Sequence, residues 1–339
     1  MSLSTFKTRP LALCAALALL ALLCALLALA LGPLHIPLSH VLGALGLPFS
    51  AEDFERAAVL QIRLPRTLLA LLIGAALAQA GAAMQGVFRN PLAEPGLVGV
   101  SSGAALAAVS VIVLLHAPSW VLPMATFAGG LAAAWCVARI AQSLGYTRVS
   151  TMLLAGLALN ALAGAGIGFL AFIADDLALR SLTFWMFGSL GKAGWQELVL
   201  ASPLLLGAVL LIPRDARALD ALLLGEAEAG HLGVDVERMK RRLLLLCVLA
   251  VATSVSLAGI IGFVGLIVPH LIRLWAGPAH RLLLPASALL GAALLTLADL
   301  AARTVVAPAE LPIGVLTALV GGPFFLALLI RYRNSAETL

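Results

Sequence analysis

The sequence predicts an all-α polytopic membrane protein with about ten spanning helices, organised as a single domain over residues 1–339. Of these residues, 62% are hydrophobic and only 11% are charged, whereas soluble domains carry about 25% charged residues. At roughly 20 residues per span, the length accommodates about ten helices and their loops. Ala, Leu and Gly dominate the apolar runs, and small residues let helix backbones approach closely.

Uncharged apolar runs place the spans in order along the chain. They lie near 11–31, 67–88, 97–115, 120–141, 150–173, 194–213, 243–258, 260–276, 282–301 and 313–330. The first run is longer than the hydrophobic region of a signal peptide, so we interpret it as a retained span. The 30 residues between Arg242 and Arg273 carry no Asp, Glu, Lys or Arg, and we divide them into a short hairpin because GIIGFVG (259–265) and Pro269 interrupt helix.

Two connections between spans are long enough to be structured. Residues 32–66 form a segment with several Pro and Gly residues, which we place outside the membrane. Residues 174–193 begin polar and continue with Phe184 and Trp185. Because Trp favours the level of the lipid headgroups, this connection is predicted to contain a short helix at the outer surface.

The distribution of basic residues predicts that both termini are cytoplasmic. With ten spans, 15 of the 21 Lys and Arg residues, among them Lys7 and Arg9, then lie inside and 6 lie outside. This ratio follows the positive-inside tendency. Arg63, Arg66 and Arg303 are on the outer side and oppose it, so their positions require an explanation.

Two explanations for the outer arginines stay open on spacing alone. Basic residues at an outer surface are suited to docking an acidic partner through charge complementarity. Alternatively, they pair locally with Glu52, Asp53, Glu55 or Glu310, or they contact lipid headgroups. Asp299 lies four residues before Arg303, and this helical spacing predicts an ion pair between them.

The most polar part of the chain is residues 214–242, called here the polar segment. It holds 12 of the 37 charged residues, six basic and six acidic. We predict two short helices joined at Gly225, because Glu226 and Glu228 suit the start of the second helix and Gly233 its end. A balanced helical segment between two apolar halves is suited to binding a soluble partner, and an ordinary solvated loop is the alternative.

Several kinds of site are excluded by spacing. The stretch GSLGK (188–192) lacks the GxxxxGK[ST] pattern of a phosphate loop, so ATP must be handled by another polypeptide. The six histidines show no paired ligand spacing, and no metal site is predicted. Glu94 has no second carboxylate or nearby His, which argues against catalysis. We therefore expect neither an enzyme nor a permanently bound cofactor. An ion-coupled transporter acting alone would not need the polar segment.

Four stretches of the chain resemble one known family. They are RLPRTLLALLIGAALAQAGAAMQGVFRNPLAEPGLVGVSSGAALA (63–107), LLLGEAEAGHLGVD (222–235), GIIGFVGLIVPHLIRL (259–274) and AELPIGVLTALVGGPFFLALL (309–329). In this order they resemble the iron-chelate and cobalamin permeases of type II ABC importers. The resemblance covers nearly all of the chain after the first span.

The resemblance implies a homodimeric permease in the bacterial inner membrane, with two cytosolic ATPase subunits and a periplasmic binding protein as partners. It assigns binding-protein docking to Arg63, Arg66 and Arg303. Coupling to the ATPases is assigned to Asp220, Gly225, Glu226, Glu228 and Gly233. The cytoplasmic loop of the family corresponds to Asn90, Pro91, Glu94, Pro95 and Gly96, where the two prolines stop the helix.

The substrate is read from residues 153–191, which look most like the haem-transporting branch of the family. Haem combines an apolar macrocycle with two propionates. Arg180 is suited to a carboxylate, and Asn160 and Phe184 are predicted to lie along the pathway with it. The resemblance leaves a ferric siderophore or cobalamin as the alternative cargo. The resemblance thus implies that haem, or one of these alternatives, is the transported substrate and that ATP binds to the partner subunits.

Overall fold

The computed structural model describes residues 10–115, 118, 120–143 and 146–336. Lys7 and Arg9, which contributed to the predicted orientation, lie outside the described residues. Ten helices correspond one to one with the predicted spans. They are α1 (Pro10–Ala30), α4 (Leu64–Val87), α5 (Val100–Leu114), α6 (Val121–Ala141), α7 (Val149–Ile173), α9 (Trp195–Leu211), α12 (Val236–Ala258), α13 (Val264–Ala276), α14 (His280–Thr304) and α15 (Ile313–Ala336).

The apolar length of these helices fits a membrane. Among the described residues, seven helical stretches of 21 to 35 residues are long and apolar enough to span a bilayer, and α5, α13 and the apolar part of α15 are shorter. The all-α polytopic class is therefore confirmed. A two-residue antiparallel pairing of β1 (Gln142–Ser143) with β2 (Tyr146–Thr147) separates α6 from α7. Nothing in the composition of that loop pointed to it.

Helix α4 forms the centre of the bundle. Nearly every residue from Thr67 to Val87 is buried, and α1, α9, α12, α13 and α14 pack around it. Gly74 lies against the backbone of Gly291 on α14, and Gly81 lies against Gly265 on α13. A β-carbon at either α4 glycine would overlap the facing carbonyl. Small residues thus set the closest helix contacts, as they do in membrane bundles.

A non-helical stretch at 259–263 separates α12 from α13, as the glycines predicted, whereas Pro269 lies inside α13 and does not interrupt it. Polar backbone inside a membrane must find partners within the protein. Here two neighbouring segments supply hydrogen bonds around the break. The Ser189 N–H donates to Ala258 O at 2.8 Å, and the Gly314 N–H donates to Phe187 O at 2.9 Å. Gly188 and Gly314 also leave no room for a side chain against Ile260.

The segment before α4 is structured, as predicted, and much of it is helical. It contains α2 (Leu38–Ala44), α3 (Asp53–Ala57) and a π-helical turn, Ala58–Arg63, that runs directly into α4. The side chain of Glu55 accepts a hydrogen bond from the Glu52 N–H at 3.1 Å, which fixes the start of α3. Arg63 and Arg66 therefore lie within a continuous helix. They do not form a loop before the span, because Pro65 is tolerated near a helix start.

The connections predicted to be helical are confirmed. Helix α8 (Asp176–Met186) follows α7, and the polar segment contains α10 (Ala216–Leu222) and α11 (Glu226–His231). Gly225 joins the last two with a φ of +130°, a conformation in which L side chains are strained. Helix α12 begins at Val236, earlier than the predicted 243, because the Asp235 carboxylate accepts a hydrogen bond from the Arg238 N–H at 3.0 Å.

We expect Gly74→Ala to destabilise the protein, because its β-carbon would overlap the Gly291 carbonyl across the α4–α14 contact. Gly207→Ala is the matched control. It also lies within a helix, but no atom lies within 4 Å of its added β-carbon, so helix propensity favours the change by up to about 1 kcal/mol. Thermal unfolding in detergent, followed by size-exclusion chromatography, measures both. Equal melting temperatures would contradict the packing of α4.

Candidate functional site

The polar segment exposes an apolar tip where α10 meets α11. Leu224 and Leu232 are 68% and 65% exposed. Glu226 and Glu228 lie beside them and are also exposed. Exposed leucines in a charged, non-spanning segment are typical of an interaction surface. The structure thus brings the predicted residues Gly225, Glu226, Glu228 and Gly233 together in one short stretch.

Two ion pairs and one hydrogen-bonded Asp–His contact hold this tip against the helical bundle. Asp220 accepts hydrogen bonds from the backbone N–H of His280 at 2.7 Å and pairs with its Nδ1 at 2.8 Å, which ties α10 to the start of α14. Arg242 donates to the buried carboxylate of Asp215, with Nε at 2.8 Å. Lys240 Nζ lies 2.7 Å from Glu226 Oε1. The tip is therefore presented by fixed elements.

The loop between α4 and α5 folds back against α7. Residues Pro95–Val98 form a 3₁₀ turn, and the carbonyl of Leu97 rests on Gly156 of α7, where a side chain could not fit. Asn90 stabilises the start of the loop, because its Oδ1 accepts the Leu92 N–H at 2.9 Å. Pro91 is exposed and Pro95 is buried.

Burial raises the pKa of the Glu94 carboxyl in this loop, although a hydrogen bond from the Phe263 backbone acts in the opposite direction. Glu94 lines a small cleft together with Gly96, Ser101, Ser254 and Gly265. No metal-ligating cluster of three or more His, Cys, Asp or Glu side chains occurs among the described residues.

Asn160 lies apart from the other predicted pathway residues. Its Nδ2 donates to Gly96 O at 3.5 Å and its Oδ1 accepts from Ser102 Oγ at 2.5 Å. Asn160 thus joins α7 to the α4–α5 loop. Arg180 and Phe184 are both exposed on α8, which follows the other end of α7. Thirteen residues separate Asn160 from the end of α7 at Ile173, or about 20 Å along the axis.

Of the three arginines predicted to lie on the outer side, Arg66 and Arg303 converge on two carboxylates. Arg66 donates to Asp299 from Nε at 3.0 Å and to Glu310 from its terminal nitrogens at 2.9 and 3.0 Å. Arg303 Nε lies 3.5 Å from Asp299 Oδ2, so the ion pair expected from the i, i+4 spacing is present. Arg63 donates to the carbonyls of Leu29 and Ala30 at the end of α1. These five charged residues are called here the outer charge cluster.

Burial distinguishes the members of the outer charge cluster. Arg63, Arg66 and Arg303 are buried and Asp299 is 1% exposed, whereas the Glu310 side chain is 38% exposed. Hydrogen bonds from Arg66 hold the pKa of the Glu310 carboxyl below its ordinary value. The pairing therefore contributes stability above the ordinary carboxyl pKa and loses it as the pH falls through the lowered value.

Sequence reasoning missed most of these partners. Lys240–Glu226 and His280–Asp220 join residues that are 14 and 60 positions apart, and Arg66–Asp299 joins residues 233 apart. Local helical spacing predicts pairs three or four residues apart, such as Asp299 with Arg303, and carries no signal for the others.

Comparison with known proteins gives consistent similarities over nearly the whole chain. A model of the FecCD transport family matches residues 19–331. The chain is 47% identical to the hemin transport system permease protein HmuU of Yersinia pestis over 92% of its own length and 95% of that protein. It is 44% identical to the cobalamin import system permease protein BtuC of Halobacterium salinarum, covering 88% of this chain and 80% of that one.

A solved structure shares the fold. It is described as an inward-facing conformation of a metal-chelate type ABC transporter, and it aligns with a TM-score of 0.84 and 32% sequence identity. The alignment covers 94% of this chain and 98% of the other. The arrangement of all ten long or apolar helices is therefore one found in an ABC transporter.

We expect Asp299→Ala to destabilise the protein by about 3–5 kcal/mol, because it leaves the buried guanidinium group of Arg303 without a carboxylate partner, while Arg66 keeps Glu310. Glu310→Ala is the control. It removes a carboxylate from the same cluster, but from a partly exposed position, and we expect a much smaller loss. Denaturant unfolding in detergent measures both free energies. A loss for Glu310→Ala as large as that for Asp299→Ala would contradict this assignment.

Proposed function

This chain belongs to the FecCD transport family and is a permease of a type II ABC importer, and from this premise we propose that its cargo is haem. It is a transport subunit and not an enzyme. In the proposed cycle, a periplasmic binding protein delivers haem, and two cytosolic ATPase subunits drive its passage through two copies of this chain. No bond in the cargo is broken.

The observation that carries the haem proposal is the outer face of α8. Leu177 and Phe184 are 76% and 60% exposed, and they lie three residues before and four residues after the exposed Arg180. These spacings place all three side chains on one side of the helix. An apolar surface with one cation at its centre suits a flat apolar macrocycle bearing a carboxylate. The 47% identity to a hemin permease supports the same cargo.

Cobalamin and a ferric siderophore are the alternative cargoes. The cobalamin permease BtuC of Halobacterium salinarum is 44% identical to this chain, only slightly less than the hemin relative. Cobalamin also brings a macrocycle, and its phosphodiester carries a negative charge that a cation suits as well. Arg180 alone therefore discriminates little among the cargoes, and side-by-side uptake of the three is the test of cargo class.

We propose that two copies of this chain enclose the pathway in the bacterial inner membrane, with both termini cytoplasmic. Helix α7 supports the pairing, because it is mostly exposed along its length and leads directly into α8. Large apolar side chains on it face outwards; they include Leu154, Leu157, Leu162, Phe169 and Phe172. A second copy would cover part of this surface and lipid the rest.

We propose that the binding protein docks over the outer charge cluster. Three arginines and two carboxylates leave the cluster with one net positive charge, which suits an acidic partner surface. The buried guanidinium groups are held by Asp299, Glu310 and the end of α1. Because they are buried, these arginines would contribute to docking through the electrostatic potential and the shape of the surface above them. Glu310 is the partly exposed member of the cluster.

The cargo proposal predicts that Arg180→Ala lowers haem uptake several-fold while the permease still assembles. Uptake of haem, cobalamin and a ferric siderophore is measured in parallel in proteoliposomes holding the complete importer. Lys192→Ala is the matched control, since Lys192 is an exposed base of the same outer connection and should leave uptake unchanged. Uptake of cobalamin without haem would overturn the haem proposal.

The coupling proposal predicts that Leu224→Asp with Glu228→Lys weakens binding of the ATPase subunits and uncouples ATP hydrolysis from uptake. Both residues are exposed at the tip of the polar segment, so the fold should be retained. Leu47→Asp is the control, because Leu47 is exposed in the connection between α1 and α4. Co-purification of the ATPase subunits measures binding. Normal co-purification with the double variant would contradict the assignment.

A further inference from the structure

Within the polar segment, Lys240 joins α11 to the first turns of α12. Its side chain is almost completely buried, with 1% of the residue exposed. The ammonium nitrogen lies 2.7 Å from Glu226 Oε1 on α11. A buried ammonium without an anion is strongly unfavourable, so a displacement of α11 requires Lys240 to follow or to lose its partner.

Glu237 lies three residues before Lys240 and joins the same turns of α12 to a different element. Its carboxylate accepts hydrogen bonds from the Thr147 N–H at 3.1 Å and from Thr147 Oγ1. It is held in place by Arg241 on the next turn, whose Nε donates at 2.9 Å. Thr147 is buried and ends β2, two residues before α7 begins at Val149.

Helix α7 connects this contact with the proposed cargo surface. It runs from Val149 to Ile173 and continues after a short break into α8, which carries Arg180. Its packing inside the chain is sparse, since most of its surface is exposed. The position of its first turn is therefore sensitive to the few polar contacts near it, and the Thr147–Glu237 contact is one of them.

From this chain of contacts we infer that Glu237 is a positioning residue for transport. It carries movement of the ATPase-facing α11, through Lys240 and the first turns of α12, to Thr147 and the start of α7. Contiguous hydrogen bonds and rigid helices are the physical means by which such coupling travels. The inference rests on the proposed role of the polar segment and adds a specific route from that surface to the cargo helix.

Two other links of the polar segment lead elsewhere. Asp220 joins α10 to His280 at the start of α14, and α14 packs on the buried α4. Asp215 pairs with Arg242 on α12. These contacts fix the segment to the core of the bundle, whereas the Glu237 contact reaches the exposed helix that leads to Arg180.

The test uses Glu237→Ala in the complete importer, reconstituted in proteoliposomes. We expect the ATPase subunits to remain bound and ATP hydrolysis to continue, while the amount of haem moved per ATP falls about threefold or more. Glu237→Gln keeps an oxygen acceptor for Thr147 and should recover most of this ratio. Arg238→Ala is the control. Arg238 is adjacent to Glu237 in the sequence, but its side chain is 82% exposed and pairs with Asp235.

An unchanged ratio of haem to ATP in Glu237→Ala would overturn the inference. Thr147→Val provides a second variant if that chain fails to fold, because it removes only the hydroxyl hydrogen bond and keeps the carboxylate. It should lower the same ratio by a smaller factor, and a ratio equal to that of the wild type would count equally against the route. A wild-type complex without ATP-driven uptake of haem, cobalamin or a ferric siderophore would instead overturn the proposed function.

Discussion

Close backbone contact between α4 and its neighbours is the constraint on which the rest of the structure depends. Lipid offers no hydrophobic driving force between helices, so packing must come from surfaces that fit at short distance. Gly74 against Gly291 and Gly81 against Gly265 provide this fit. Because α4 is buried along nearly its whole length, these contacts also set where α13 and α14 lie. Through α14 they position the outer charge cluster and the anchor for α10.

Much of the fold follows from the sequence because the membrane leaves few options. Every backbone polar group in the membrane must be hydrogen-bonded within the protein, so long uncharged runs form helices. The glycines at 259–265 were sufficient to predict the break between α12 and α13. The two short helices of the polar segment could also be predicted, since Gly225 marks the turn between them and Gly233 the end of the second. The connection before α4 was predicted to be structured, but the positions of its helices were not predicted. They depend on a capping contact between Glu52 and Glu55 and on packing around Ile36 and Val59.

The candidate site divides in the same way. Composition located the polar segment, and the i, i+4 rule found Asp299 with Arg303, because both signals are local. The contacts that give the site its geometry join distant parts of the chain. Lys240 with Glu226, and Glu237 with Thr147, depend on how α12 turns against α11 and β2. Asn160 was assigned to the pathway together with Arg180 and Phe184, and the structure shows it hydrogen-bonded to Ser102 and close to Gly96.

The non-helical stretch at 259–263 has a consequence for the segments packed around it. The backbone that follows α8 bonds to the start of α15, where the Ile313 N–H donates to Gly188 O, and to the end of α12, where the Ser189 N–H donates to Ala258 O. Backbone hydrogen bonds thus connect three segments that are distant in the sequence. These backbone contacts hold the end of α8, so a tilt of α8 would also displace the α12–α13 junction and the start of α15. The cargo surface proposed on α8 would therefore move together with these two segments.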